Sequence, residues 1–190
     1  MDQPVIYNLT ILFSTLVSVI KEELFMVSMR ILDVKTFMSE LLIHDMFDLF
    51  LLSELEIITN IKIQVDGHLY KEYYSNDEKE ALVGRSHSLW KEVKPTVYSL
   101  IKGDKLPLSM KIVLMLPAKS IEKLLEKSSV FLNPSDINGL YLNIKFENND
   151  LIYTTGTSIK VFSLDKSLDQ LWDERAKAFM RQKGIAVEEL

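Results

Sequence analysis

The hydrophobic pattern of this chain switches repeatedly between a two-residue and a 3.6-residue period, which restricts it to folds that mix sheet and helix. Ile61, Ile63 and Val65 alternate with Lys62 and Gln64, as on a half-buried strand. Phe37, Met38, Leu41 and Leu42 recur at helical spacing behind Asp33, whose carboxylate suits an N-cap. In order, the pattern predicts a strand over 29–32, a helix over 34–42 and strands over 50–58 and 61–65. Asp66-Gly67 then reads as a hairpin turn, because a type I′ turn needs positive φ, with a returning strand over 68–74.

A helical connector over 75–108 follows. Ser75 and Glu78 have the spacing of a capping box. Leu89, Trp90, Val93, Val97, Leu100 and Ile101 mark an apolar face, and Pro95 predicts a kink or two short helices meeting there. The order of the first part then returns: a strand over 109–116, a helix from Pro117 over 118–128, and a strand over 140–147. A turn at Asn148-Asn149, a strand over 151–155, a turn at Gly156 and a strand over 158–163 complete it. Ser167 with Gln170 reads as a second capping box, opening a final helix over 167–183 with Leu168, Leu171, Trp172 and Phe179 on one face. The expected fold is therefore α+β. It consists of two tandem strand–helix–three-strand units, about 29–74 and 109–163, joined by a helical connector and followed by a C-terminal helix.

Composition narrows the chemistry. The 190 residues are 47% hydrophobic and 26% charged, the balance of a chain that can bury a core. Cysteine is absent, which removes disulfides, thiolate metal sites and Cys nucleophiles. The net charge of −5 disfavours bulk binding to nucleic acid and leaves room only for a local basic stripe. A cytoplasmic location is expected.

The first 25 residues stand apart. Residues 5–20 are mostly apolar, but Asn8, Thr10, Ser14, Thr15 and Ser18 interrupt them, and the run is short of the roughly 20 residues of a membrane span. Met1-Asp2-Gln3 lacks the basic start of a secretory signal. Lys21-Glu22-Glu23 is what a purine-rich ribosome-binding site would encode, just ahead of Met26 and Met29. The expectation is that 1–25 are a non-native or loosely packed extension, that 26–190 form a single domain, and that no membrane role exists. The alternative is an added amphipathic helix that docks on the fold.

Several strings carry a resemblance: Phe47-Asp48-Leu49-Phe50-Leu51-Leu52, Val65-Asp66-Gly67-His68, Leu100-Ile101-Lys102-Gly103 and Asn138-Gly139-Leu140. With them goes Thr154-Thr155-Gly156-Thr157-Ser158, running on into Phe162-Ser163-Leu164-Asp165-Lys166-Ser167-Leu168-Asp169. Over about 29–190 the chain resembles an uncharacterised family of small proteins from Gram-positive anaerobes, a domain of unknown function. That resemblance implies no activity, so no functional residues transfer. The two tandem units also resemble one domain of a DNA sliding clamp, a likeness of fold that implies no function.

The candidate chemistry is sparse. His44, His68 and His87 lack metal-ligand spacing, so a metal site would need them to converge with carboxylates such as Asp45, Asp48 or Asp66; surface and turn positions are the plain alternative. Thr154, Thr155, Thr157 and Ser158 put hydroxyls around a tight turn that could hold a phosphate or carboxylate, or could simply pair across strands. The acidic group of Asp165, Asp169 and Asp173 suits the start of the last helix. Lys119, Lys123 and Lys127 at i, i+4, i+8 could contact phosphates, or form the wet face of a helix with Glu122 and Glu126. Tyr70, Tyr73 and Tyr74 could stack bases or pack a sheet edge.

No catalytic motif, metal site or cofactor is expected. The preferred expectation is a non-catalytic interaction or scaffold protein of a bacterial cytoplasm, with a homodimer through a sheet edge as one form. The alternatives are a small enzyme or ligand-binding domain with a site between the two halves, near Thr155 or His68, and a DNA-associated clamp-like protein using the Lys119 face.

Overall fold

The computed structural model describes residues 27–190 except Asp104 and Phe162. The apolar stretch over 5–20 and the expected start near Met26 lie outside the described residues.

The chain runs β1 (Ser28–Ile31), α1 (Val34–Leu42), β2 (Leu51–Ile58), β3 (Lys62–Asp66), α2 (Asn76–Ala81) and α3 (Trp90–Ile101). It continues with β4 (Ser109–Met115), α4 (Ala118–Glu126), β5 (Ile137–Glu147), β6 (Asp150–Ile159), α5 (Ser167–Gln182) and β7 (Val187–Glu189). The seven strands form one antiparallel sheet in the order β3-β2-β4-β5-β6-β1-β7. With five α-helices among the described residues, the class is α+β, as the periodicity predicts.

Strand alternation decides the layers. Leu140, Leu142, Ile144 and Phe146 of β5 are buried, while Asn143, Lys145 and Glu147 between them are not. In register beside them lie Leu114, Ile112 and Met110 of β4 and Thr155, Tyr153 and Leu151 of β6. These side chains and their neighbours on β1 and β2 form one continuous core with Phe37 and Leu41 of α1, Trp90 and Val97 of α3, Ile121 and Leu125 of α4, and Trp172 and Met180 of α5. The other sheet face carries ion pairs between strands: Lys111 with Glu54, Lys62 with Glu56, and Arg30 with Asp150. Exposed pairs of this kind each contribute little, about 0–1 kcal/mol.

Local rules account for many of the boundaries. Asp33 Oδ1 accepts the Thr36 N–H at 3.0 Å and opens α1. Ser75 and Glu78 form the reciprocal capping box of α2. Asn148 and Asn149 have φ of 52° and 63°, which lets a two-residue turn join β5 to β6. Gly184, at φ 72°, ends α5.

Several expectations are corrected. Residues 68–74 make no strand; they contribute one bridge, His68 to His87, and a 3-10 turn at Lys71–Tyr73. Gly67 is not a hairpin tip. Its N–H donates to Ser53 O at 3.0 Å, and a Cβ there would lie 1.8 Å from Leu52 O, so glycine is needed for close backbone approach. Gly156 makes no turn either, because it sits inside β6 opposite Tyr141, in register with the eleven-residue β5. Pro95 does not divide its helix, and Ser167 does not cap α5: the Ser167 N–H donates to Asp165 Oδ1 at 2.8 Å. Each half is thus strand–helix–two-strand. Their pairings also differ, since β4 lies beside β5 whereas β1 lies between β6 and β7.

Replacing Gly67 by Ala should lower stability by about 1–3 kcal/mol, the cost of forcing atoms into filled space. Gly103→Ala, with open space around it, should stay within about 0.5 kcal/mol of the parent. Urea midpoints at unchanged slope would measure both.

Candidate functional site

The site is built from two helices laid on the same sheet face. α5 buries Leu168, Trp172, Ala176 and Met180 at helical spacing. The Trp172 indole N–H donates to Tyr141 O at 2.8 Å, tying the helix to the backbone of β5. Thr155 Oγ1 donates to the Asp173 carboxylate, and Thr157 Oγ1 to that of Asp169. Asp173 is only 7% exposed, and burial holds its carboxyl above the usual carboxylate range against the opposing Thr155 hydrogen bond. Tyr153 lies fully buried nearby, its hydroxyl without a partner among the described residues. Burial first, then the Asp173 charge, push that phenol up to about 12.

α4 starts after Pro117 and buries Ile121 and Leu125. Between α4, α5 and the loop before β2 lies a cleft of about 700 Å³. Met46, Phe50, Leu142, Trp172 and Ala176 give it a buried apolar floor, with Leu124 and Phe179 on its walls. Lys123 and Lys127 line it from α4, and Arg175 and Lys183 from α5 and its end. All four cations are exposed, and none makes an ion pair among the described residues. Asp45 is the one acidic side chain lining the cleft among the described residues. A larger and more open recess, about 990 Å³, lies on the other flank of α4 and carries Glu122 and Glu126.

Of the residues singled out in the sequence, Lys123 and Lys127 meet at this cleft and Lys119 does not line it. Thr155 and Thr157 spend their hydroxyls on α5. Thr154 and Ser158 lie on the opposite face of β6, where Asn138 Nδ2 donates to Ser158 Oγ at 3.1 Å. His68 follows β3, four strands from the β6 that carries Thr155. At about 4.8 Å per strand that is a separation on the order of 19 Å. Sequence reading missed Arg175 and Lys183, the second half of the basic rim. The usable signal was their i, i+8 spacing around Phe179 and next to Trp172.

A family model described as a family of unknown function, DUF5721, matches residues 40–188. The chain belongs to that family. The DUF5721 match falls inside the 29–190 span of the expected resemblance and assigns no specific function. No curated protein and no solved structure matches the chain. Among the described residues of this DUF5721 protein, no helix is long and apolar enough to cross a membrane.

The raised Asp173 carboxyl makes a pH prediction. Its contribution to stability is present in full below the unfolded carboxylate range and is lost as pH rises through its folded value. Asp173→Asn keeps an acceptor for Thr155 without the buried charge. Its melting temperature at pH 7 should equal or exceed the parent's, with the difference shrinking below about pH 4. Thermal melts between pH 3 and 8 would read this.

Proposed function

We propose that this protein is a non-catalytic interaction module that holds a short acidic segment of a partner protein in the cleft between α4 and α5. The observation that carries the reading is the pairing of an apolar aromatic floor with four rim cations that make no ion pair among the described residues. An apolar floor supplies affinity through a few large contacts, and rim charges select and steer the partner. The fitting partner presents two or three apolar side chains at helical spacing, flanked by Asp or Glu. Four cations clustered on a chain of net charge −5 make that complementarity local.

The bacterial cytoplasmic setting, the Gram-positive origin and a domain starting near Met26 belong to the same proposal. The absence of cysteine supports the setting. A single site joining Thr155 to His68 gains no support from residues four strands apart, and a DNA contact through Lys119 gains none from a face shared with Glu122 and Glu126.

The test uses a synthetic helical peptide with Leu and Phe at i, i+3 and i+7 and Glu at the other positions. Trp90 is fully buried and does not line the cleft, whereas Trp172 does, so a change in tryptophan emission on titration that persists in Trp90→Phe reports Trp172. Saturable binding should weaken as salt rises. Lys123→Glu with Arg175→Glu should weaken it at least tenfold, and Phe179→Ala should do so without changing the salt dependence. Emission that ignores the peptide, or binding untouched by the double charge reversal, would overturn the reading.

A further inference from the structure

His68 and His87 are nineteen positions apart in the chain and side by side in the fold. The Leu69 N–H donates to Ser86 O at 3.0 Å, and the Ser88 N–H to Gly67 O at 2.8 Å. Those two bonds flank the His68–His87 bridge and make it a non-hydrogen-bonded antiparallel pair, the kind whose side chains stand closest. The ring centroids are 4.1 Å apart. We propose that this pair binds a divalent first-row transition metal ion of the Zn²⁺ or Cu²⁺ type through the two Nε2 atoms, with water completing the coordination shell.

Three features carry the proposal. First, both Nδ1 atoms are already engaged, that of His68 by Asp66 Oδ1 at 2.6 Å and that of His87 by Ser86 Oγ at 2.8 Å. A carboxylate only accepts, so the His68 proton sits on Nδ1 and the Nε2 lone pair is left for a metal. Carboxylate–imidazole–metal is the outer-shell arrangement that orients histidine ligands. Second, side chains of a cross-strand pair project from the same face of the ribbon, so the two rings stand side by side, that of His68 exposed and that of His87 largely buried. Metal–nitrogen bonds run about 2.0–2.1 Å, and rings this close can reach one ion by small rotations. Third, a neighbouring cation is already neutralised: Arg85 donates to His87 O at 3.4 Å and is held by both Glu92 carboxylate oxygens.

Two imidazoles make an open site, unlike the four-ligand cage of a structural zinc, and among the described residues no group of three or more His, Cys, Asp or Glu could hold a metal ion. Imidazole donors favour zinc, copper and nickel over magnesium. This site is independent of the cleft, since neither histidine lines it.

The test is calorimetric titration of the full chain with ZnCl₂ in a non-coordinating buffer, with MgCl₂ as the comparison ion. One equivalent of zinc should bind and magnesium should not. His68→Ala should weaken zinc binding at least tenfold, and Asp66→Asn about 10–100-fold, the usual loss on removing an outer-shell partner. His44→Ala should leave it unchanged. His87→Gln, checked for native circular dichroism, should match His68→Ala. Because His68 is exposed, that variant decides the matter if His87→Gln fails to fold. Zinc binding that persists in His68→Ala, that is lost in His44→Ala, or that is absent at millimolar zinc would overturn the proposal.

Discussion

A seven-stranded sheet with one apolar face has to be roofed, and the order of this molecule follows from that need. Strands β4, β5 and β6 each present a row of large aliphatic or aromatic side chains to the same side. At about 25 cal/mol per Å² of apolar surface, leaving such a face wet would cost more than a domain's whole stability. The helices are the roof. Their seating relies on directional contacts as well as on burial: Trp172 and Trp90 both donate their indole N–H to a backbone carbonyl, of Tyr141 and Leu41 respectively. The threonines of β6 fix α5 in register by bonding its inward carboxylates.

The cleft is where that roof has a gap. α4 and α5 approach the sheet from different connections and leave a cleft between them, over the buried Leu142 and Trp172. Their facing rims hold cations while two carboxylates of α5, those of Asp169 and Asp173, turn down onto the strands. Exposed acids remain, Glu174 on α5 and Glu122 and Glu126 on α4, but among the described residues Asp45 is the one acid that lines the cleft. A chain that is acidic overall therefore shows a basic rim at one place.

Much of the fold is legible in single residues. Asp33, the Ser75–Glu78 pair, Asn148-Asn149 and Gly184 each mark a boundary by local chemistry, and the structure puts the boundary there. The two glycine misreadings share one cause. Gly67 and Gly156 both suggest turns, yet one is small because a neighbouring backbone presses on it, and the other is absorbed by a long partner strand. Which of these a glycine serves depends on a partner far along the chain, and a linear pattern does not contain it. The candidate site follows the same division. Lys123 and Lys127 are visible as a helical stripe, and the spacing of Arg175 and Lys183 around Phe179 is visible too, but that the two pairs face one another follows only when α5 is laid beside α4.

By itself the sequence determined the class, the positions of most elements and the absence of thiol chemistry. These are properties of local periodicity and residue type, which act over a few positions. The tertiary structure alone decided that β1 sits between β6 and β7, that two distant histidines form a cross-strand pair, and that four cations ring one apolar floor. Each depends on long-range strand pairing or helix seating, set by the whole buried face at once and by no short stretch of the chain.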